Sequence, residues 1–267
     1  MKVELEDLRH NLQVRNLVLL VGSGLSIGAG LPSWYQLIAE LARRISYNLP
    51  PVEWVNADGL IQCAQAYVNR HGLQSLISYL KEVLDTTHIR LTAAHDALAS
   101  APIGLVFTTN YDDLLERAFR NKGKKVHVVT KDIDISFMRD DPDWVNIVKL
   151  YGDLSEPGTI IFTRQQYEGF FLEKPQMVKL LETELTRRLV LYAGYGHRDP
   201  HFGLILGELL DRFKEFSRSS YMFVSEASPD ELEELKRKRV QPIQLDPTRD
   251  RTQQLAEWLL AIQEDAS

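Results

Sequence analysis

Eight short runs of aliphatic, β-branched and aromatic residues punctuate the chain, at 17–21, 103–107, 126–129, 145–150, 159–162, 189–193, 221–224 and 240–245. Most are separated by stretches of helical periodicity. Several are apolar at nearly every position, the pattern of strands covered on both faces. Strands alternating with helices in this way specify an α/β fold, a doubly wound and mostly parallel sheet. The stretch 50–87 contains none of these runs and reads as helical, with starts near Pro51 and Leu73. It is assigned to a helical insertion, residues 48–89, that caps the site, within a single domain spanning 1–267.

Composition narrows the class. Hydrophobic residues make up 44% and charged residues 25% of the 267, as in ordinary globular proteins, and no apolar run is long enough to span a bilayer. Residues 1–15 mix Glu4, Glu6, Asp7 and Arg9 with Leu5, Leu8 and Leu12, which suits an amphipathic helix and not a secretory signal. A cytoplasmic protein without a membrane role is expected. The net charge of -6 carries no general footprint for direct nucleic-acid binding, and the Lys122 to Lys125 patch reads as solvated surface. Cys63 is the single cysteine, so the chain can form neither an internal disulfide nor a four-cysteine zinc site.

The first apolar run leads into Gly22-Ser23-Gly24-Leu25-Ser26-Ile27-Gly28-Ala29-Gly30 and then Leu31-Pro32-Ser33-Trp34. Strand, glycine-rich turn and helix start together have the form of a phosphate-binding loop. Glycine permits positive φ and close backbone approach, and amides near a helix N-terminus donate to negative charge. Ser23 and Ser26 add hydroxyl donors. No Gly-Lys-Ser/Thr follows, which excludes a P-loop, and Ile27 stands where the third glycine of Gly-x-Gly-x-x-Gly belongs. A turn serving packing alone remains open on this motif.

Three further strings follow in order. Thr108-Thr109-Asn110-Tyr111-Asp112 comes after the second run. Lys149-Leu150-Tyr151-Gly152-Asp153 leads to Ile160-Ile161-Phe162-Thr163 and Tyr167. Gly194-Tyr195-Gly196 leads to Asp199-Pro200. Together with the glycine-rich turn these resemble the sirtuin superfamily, specifically its zinc-free bacterial branch, over residues 17–200. The resemblance implies a Rossmann-like sheet with NAD as substrate and no zinc. It implies that Gly22, Ser23, Gly24 and Ser26 hold the NAD phosphates, that Pro32 and Trp34 approach the nicotinamide end, and that Thr109, Gly194, Tyr195, Gly196, Asp199 and Ser225 complete the binding surface. Asp199 either contacts the second ribose or stabilises a turn, and Ser225 with Glu226 either bonds a ribose or precedes a helix.

Asn110 matches the family's essential asparagine, expected to position the ribose or the attacking water, and Asp112 matches its acidic residue near nicotinamide. Breaking a nicotinamide–ribose bond develops oxocarbenium character, so groups that orient ribose hydroxyls and a nearby carboxylate both serve the reaction. Both residue types also cap helices, and a helix is expected near Asp113.

Tyr151 departs from the pattern, since the family usually has His there as general base. A phenol with pKa about 10 is a poor base at neutral pH beside an imidazole near 6.5, and removing a general base costs on the order of 10²- to 10⁴-fold. Tyr151 is carried as a third catalytic candidate by hydrogen bonding to ribose, with Asp153, His197 or His201 as alternative sources of basicity. His95 reads as structural. The stripe Leu255, Trp258, Leu259 and Ile262 reads as core packing, and 231–239 as a solvated helical face.

The resemblance implies an NAD hydrolase of anti-phage defence, releasing ADP-ribose and nicotinamide. Alternatives are a catalytically weakened assembly subunit that binds NAD or ADP-ribose, and a protein deacylase or ADP-ribosyltransferase. The chain closes soon after the nucleotide fold, which predicts control by a homo-oligomer or by a partner such as a HerA-type ATPase or a short Argonaute.

Overall fold

The computed structural model describes residues 2–52, 54–195, 218–225 and 227–264. Seven strands form one sheet: β1 (Leu17–Val21), β2 (Leu105–Thr108), β3 (Lys125–Val129), β4 (Trp144–Lys149), β5 (Leu189–Ala193), β6 (Ser220–Val224) and β7 (Val240–Gln244), in the order β3-β4-β2-β1-β5-β6-β7. Every described pairing is parallel. The chain leaves β1 toward one edge through β2 and crosses to the other at β5, which makes β1 the topological switch point.

Alternate residues of the central strands feed two cores. Val18, Leu20, Phe107, Val148 and Tyr192 face α3 (Trp34–Arg44), α4 (Ala57–His71), α5 (Leu73–Val83), α8 (Arg164–Glu173) and α9 (Pro175–Arg187). Leu19, Val21, Val106, Ile147 and Leu191 face α1 (Lys2–Gln13), α6 (Ala93–Ser100), α7 (Leu114–Asn121) and α11 (Arg251–Gln263). A short α2 (Gly24–Gly28) follows β1, and α10 (Pro229–Arg237) joins β6 to β7. Burial on both faces accounts for the unbroken apolar runs. The α11 stripe is core, with Leu255, Leu259 and Ile262 buried and Trp258 edge-on to Phe223.

Two expectations need correction. Residues 159–162 form no strand: a 3₁₀ turn, Pro157–Thr159, leads into a buried loop. Its backbone groups bond outside the sheet, where Ile161 N donates to Tyr151 O (2.9 Å), Tyr111 Oη donates to Ile161 O (2.7 Å) and Phe162 N donates to Gln166 Oε1 (2.9 Å). A buried loop and a buried strand are both apolar throughout, so composition alone does not separate them. In the stretch 48–89, α4 begins at Ala57 rather than near Pro51, because Asn56 Oδ1 accepts from Gly59 N at 2.9 Å and so caps the helix there.

Candidate functional site

Strand register brings the motifs together. Val21 is abreast of both Thr108 and Ala193, and Thr108 is abreast of Lys149, so the loops after β1, β2, β4 and β5 leave the sheet at one level on its carboxyl edge. Open α/β sheets bind ligands beside such a switch point.

The first loop is seated on the last. Gly22 N donates to Ala193 O at 2.9 Å and Gly24 N to Gly194 O at 2.7 Å. A Cβ on Gly22 or Gly24 would lie 2.8 Å or 2.6 Å from the Gly194 carbonyl oxygen. These two glycines therefore serve contact between two backbones, and neither has the positive φ that the sequence suggested; Gly194 has it, at +78°.

The second loop supplies polar chemistry. Thr109 N reaches Val21 O (3.3 Å), and Asn110 N donates to Thr108 Oγ1 (3.0 Å). Asn110 Nδ2 donates to Gly22 O (3.2 Å) and to Ser26 Oγ (3.0 Å), and Ser26 Oγ donates to Asp112 Oδ2 (2.8 Å). The other Asp112 oxygen accepts from Leu114 N at 3.1 Å. Asp112 thus caps α7 and closes the chain at once, whereas Asn110 makes no capping bond. Asn110 Oδ1 is buried without a hydrogen-bond partner, and a buried polar atom left in that state is costly unless something completes it.

These residues line a small cleft of about 30 Å³ whose walls are Ser23, Ser26, Leu31, Pro32, Trp34, Leu37, Leu84, Thr109, Asn110, Tyr111 and Asp112. Its size admits about one water molecule, so the chemistry of the walls and not the volume points to a ligand. Trp34 is placed by the Ser33–Gln36 capping box at the start of α3 and packs edge-on to Phe162 at 6.3 Å. An unpartnered acceptor, a buried carboxylate and an apolar wall together suit a ligand with hydroxyl donors and a flat apolar end.

A profile of the SIR2-like domain matches residues 104–243, more than half of the chain. The chain belongs to the SIR2-like domain family. Its relatives include the NAD(+) hydrolase ThsA of Acinetobacter baumannii, 29% identical over 221 residues, covering 82% of this chain and 44% of the relative. The NAD(+) hydrolase ThsA of Bacillus cereus is 28% identical over 235 residues, 86% of this chain and 48% of the relative. Defense-associated sirtuin 2 of Bacillus subtilis is 22% identical over 222 residues, 82% of this chain and 22% of the relative. The chain spans about half the length of the ThsA relatives it matches.

Of the residues singled out in the sequence, Ser23, Ser26, Pro32, Trp34, Thr109, Asn110 and Asp112 meet on the cleft wall. Gly22, Gly24, Gly194 and Tyr195 lie behind it, with Tyr195 Oη 3.2 Å from Thr109 Oγ1. Tyr151 does not line the cleft: it is 1% exposed and packs edge-on to Tyr167 at 5.1 Å. Ser225, at the end of β6, is half-buried away from the cleft. Gly196, Asp199, His197, His201 and Glu226 lie outside the described residues. His95 is fully buried, kept below the usual imidazole range by burial, and its Nδ1 meets Thr92 Oγ1 at 2.8 Å.

The sequence reading assigned no role to Leu31, Leu37, Leu84 or Tyr111 on the wall, or to Lys149 behind it. Leu84 follows α5 and has no local signal. Lys149 had one, a lone cation in the apolar run Val145 to Leu150. Its ammonium is fully buried and bonds Asp153 Oδ2 at 2.6 Å and Glu116 Oε1 at 2.9 Å. Burial raises the Asp153 carboxyl, but the charge and hydrogen bond of Lys149, with Ser155, outweigh that and hold it below its ordinary value. Asp153 is therefore an ionised partner of Lys149. Among the described residues no group of three or more His, Cys, Asp or Glu is arranged to hold a metal, and no helix is long and apolar enough to cross a membrane.

Proposed function

We propose that this SIR2-like chain hydrolyses NAD at the nicotinamide–ribose bond, with water adding to the ribose carbon and nicotinamide leaving, to give ADP-ribose and nicotinamide in bacterial anti-phage defence. The observation that carries the proposal is the buried hydrogen-bond chain Asn110–Ser26–Asp112, which leaves Asn110 Oδ1 unpartnered at the cleft. The names of the ThsA relatives support the same chemistry, and that of the Bacillus subtilis relative supports the defence setting. Asn110 Oδ1 accepts from a ribose hydroxyl or the incoming water, and the Asp112 carboxylate stabilises positive charge as the bond to nicotinamide breaks. Leu31, Pro32 and Trp34 exclude water from the nicotinamide end. The loop Gly22 to Ser26 takes the phosphates. We place the protein in the cytoplasm, controlled by self-assembly or by a partner of the HerA-type ATPase or short Argonaute kind.

The burial of Tyr151 outside the cleft wall favours a reaction in which residue 151 takes no proton. It also keeps a second reading alive, a subunit that binds NAD without efficient turnover. Nicotinamide release by the purified protein, alone and with its genetic neighbours, separates the two. Release by the wild type, falling on the order of 10²- to 10³-fold in Asn110→Ala, is the expected result. Unchanged release in that variant would refute the role of Asn110, and NAD binding with cleavage only in Tyr151→His would establish the second reading.

A further inference from the structure

The segment that presents Asn110 and Asp112 to the cleft is held from behind by a single cation. β2 and β4 are parallel and in register with Thr108 abreast of Lys149, so the last residue of β4 lies beside the loop that follows β2. The Lys149 ammonium, 0% exposed, donates to Asp112 O at 2.6 Å and approaches Tyr111 O at 3.3 Å, in addition to its bonds to Asp153 and Glu116. Asp153 already balances the charge, while burial raises the Glu116 carboxyl against the pull of Lys149. The contacts to two consecutive carbonyls do something different: they fix the peptide units on both sides of Asp112. With its carbonyl turned toward Lys149, Asp112 directs its carboxylate to Ser26 Oγ and Leu114 N, and Ser26 in turn receives Asn110.

We propose that Lys149 is the positioning residue of this site, holding the Tyr111 and Asp112 carbonyls and thereby setting where the Asn110 amide and the Asp112 carboxylate stand in the cleft. The inference rests on the reading of that cleft as the place where NAD is cleaved. Lys149 touches no substrate and acts through Asp112, so its loss lowers the rate of the bound complex rather than its affinity. Misplacement by about 1 Å is enough for a loss on the order of 10²-fold.

The test is the triple variant Lys149→Met/Glu116→Gln/Asp153→Asn, which removes the cation together with the two carboxyl groups bonded to it. Two quantities are read on the full chain: kcat and KM for nicotinamide release, and amide hydrogen exchange across 110–114. The expected result is a kcat lower by about 10²-fold with KM within about threefold of wild type, and faster exchange at 110–114 while β1 and β5 keep their protection. A kcat within about twofold of wild type, a change in KM alone, or unchanged exchange at 110–114 would each overturn the proposal. If the wild type releases no nicotinamide, the cleavage reading falls by itself, and the exchange measurement still decides whether Lys149 holds the segment. Should the triple variant not fold, Lys149→Arg carries the test, because it keeps a cation for Asp153 while the planar guanidinium does not reproduce the ammonium's contacts with the two carbonyls. A kcat lower by about tenfold or more with KM unchanged supports the proposal, and a wild-type kcat overturns it.

Discussion

Lys149 and Lys174 both reach the turn formed by residues 150–159, and both give up most of their water to do so. Lys149 meets two carboxylates and two carbonyls, and although burial alone would lower it, Glu116, Asp153 and Asp112 outweigh burial and leave it above the ordinary lysine range. Lys174 reaches the Leu150 and Thr159 carbonyls, each at 3.4 Å, and the face of Phe170 at 6.0 Å, and no carboxylate at hydrogen-bond distance among the described residues. Burial pushes it down to about 8, against weaker opposition from Asp132, Glu173 and Asp134. A buried ammonium is thus a firm anchor or a liability according to whether ionised partners stand at hydrogen-bond distance. The fold uses the first kind behind Asn110 and Asp112 and the second kind at the outer side of the same turn.

The largest expected effect tests the anchor. Lys149→Met strips the cation from Glu116 and Asp153 and should lower the unfolding free energy by about 3–5 kcal/mol in chemical denaturation. If it costs no more than Lys174→Met, the two sites do not differ as described. Next comes the turn that both lysines reach. Gly152 has φ +89°, and a Cβ there would overlap the Thr159 carbonyl oxygen, which belongs to backbone and cannot swing aside. Gly152→Ala should destabilise by about 2–3 kcal/mol through strain, read as a lowered melting temperature. Wild-type stability would show that the turn yields, and so fixes neither lysine.

An uncharged link in front of the anchor should cost less. Ser26→Ala removes the hydroxyl between Asn110 and Asp112 while Asn110 keeps Gly22 O. The expected loss is about 1–2 kcal/mol, with a lower rate of nicotinamide release. A stability loss equal to that of Lys149→Met would mean that the front of the segment bears as much as the back.

The smallest effect is a matter of sign. Below pH 8 Lys174 is protonated in both the folded and unfolded states, and folding carries the full penalty of burying its charge. Between about 8 and its ordinary 10.5 the unfolded chain binds more protons, so stability contributed by this group rises with pH and levels off above that range. Lys174→Met should therefore be at least as stable as wild type at pH 7. The difference between the two proteins should shrink as pH rises to 10 in parallel unfolding curves. A variant less stable at pH 7 would give Lys174 the anchoring role denied to it here.

Much of this was legible from the chain. Apolar runs at nearly every position predicted a parallel sheet because burial on both faces removes the polar alternate, and seven of the eight runs are strands. The glycine-rich turn, Thr109-Asn110 and Gly194-Tyr195 each follow an apolar run in the sequence, and strand register sets all three at one edge of the sheet. The roles within that edge were less legible. Gly22 and Gly24 read as room for a phosphate, yet their missing side chains admit the Gly194 backbone. Tyr151 read as a replacement for a base, yet it packs against Tyr167 away from the cleft wall.

What the sequence determined by itself is what local chemistry encodes: strand period, turn residues, helix caps such as Ser33 with Gln36, and a motif order that fits one family. The tertiary structure alone decided which polar groups face one another. Lys149 draws its partners from positions 111, 112, 116 and 153, and Asn110 draws its own from 22 and 26. Asp153 apart, which is four residues from Lys149, no periodicity links these residues; strand register does, and register is settled only when the whole sheet has closed on its two cores.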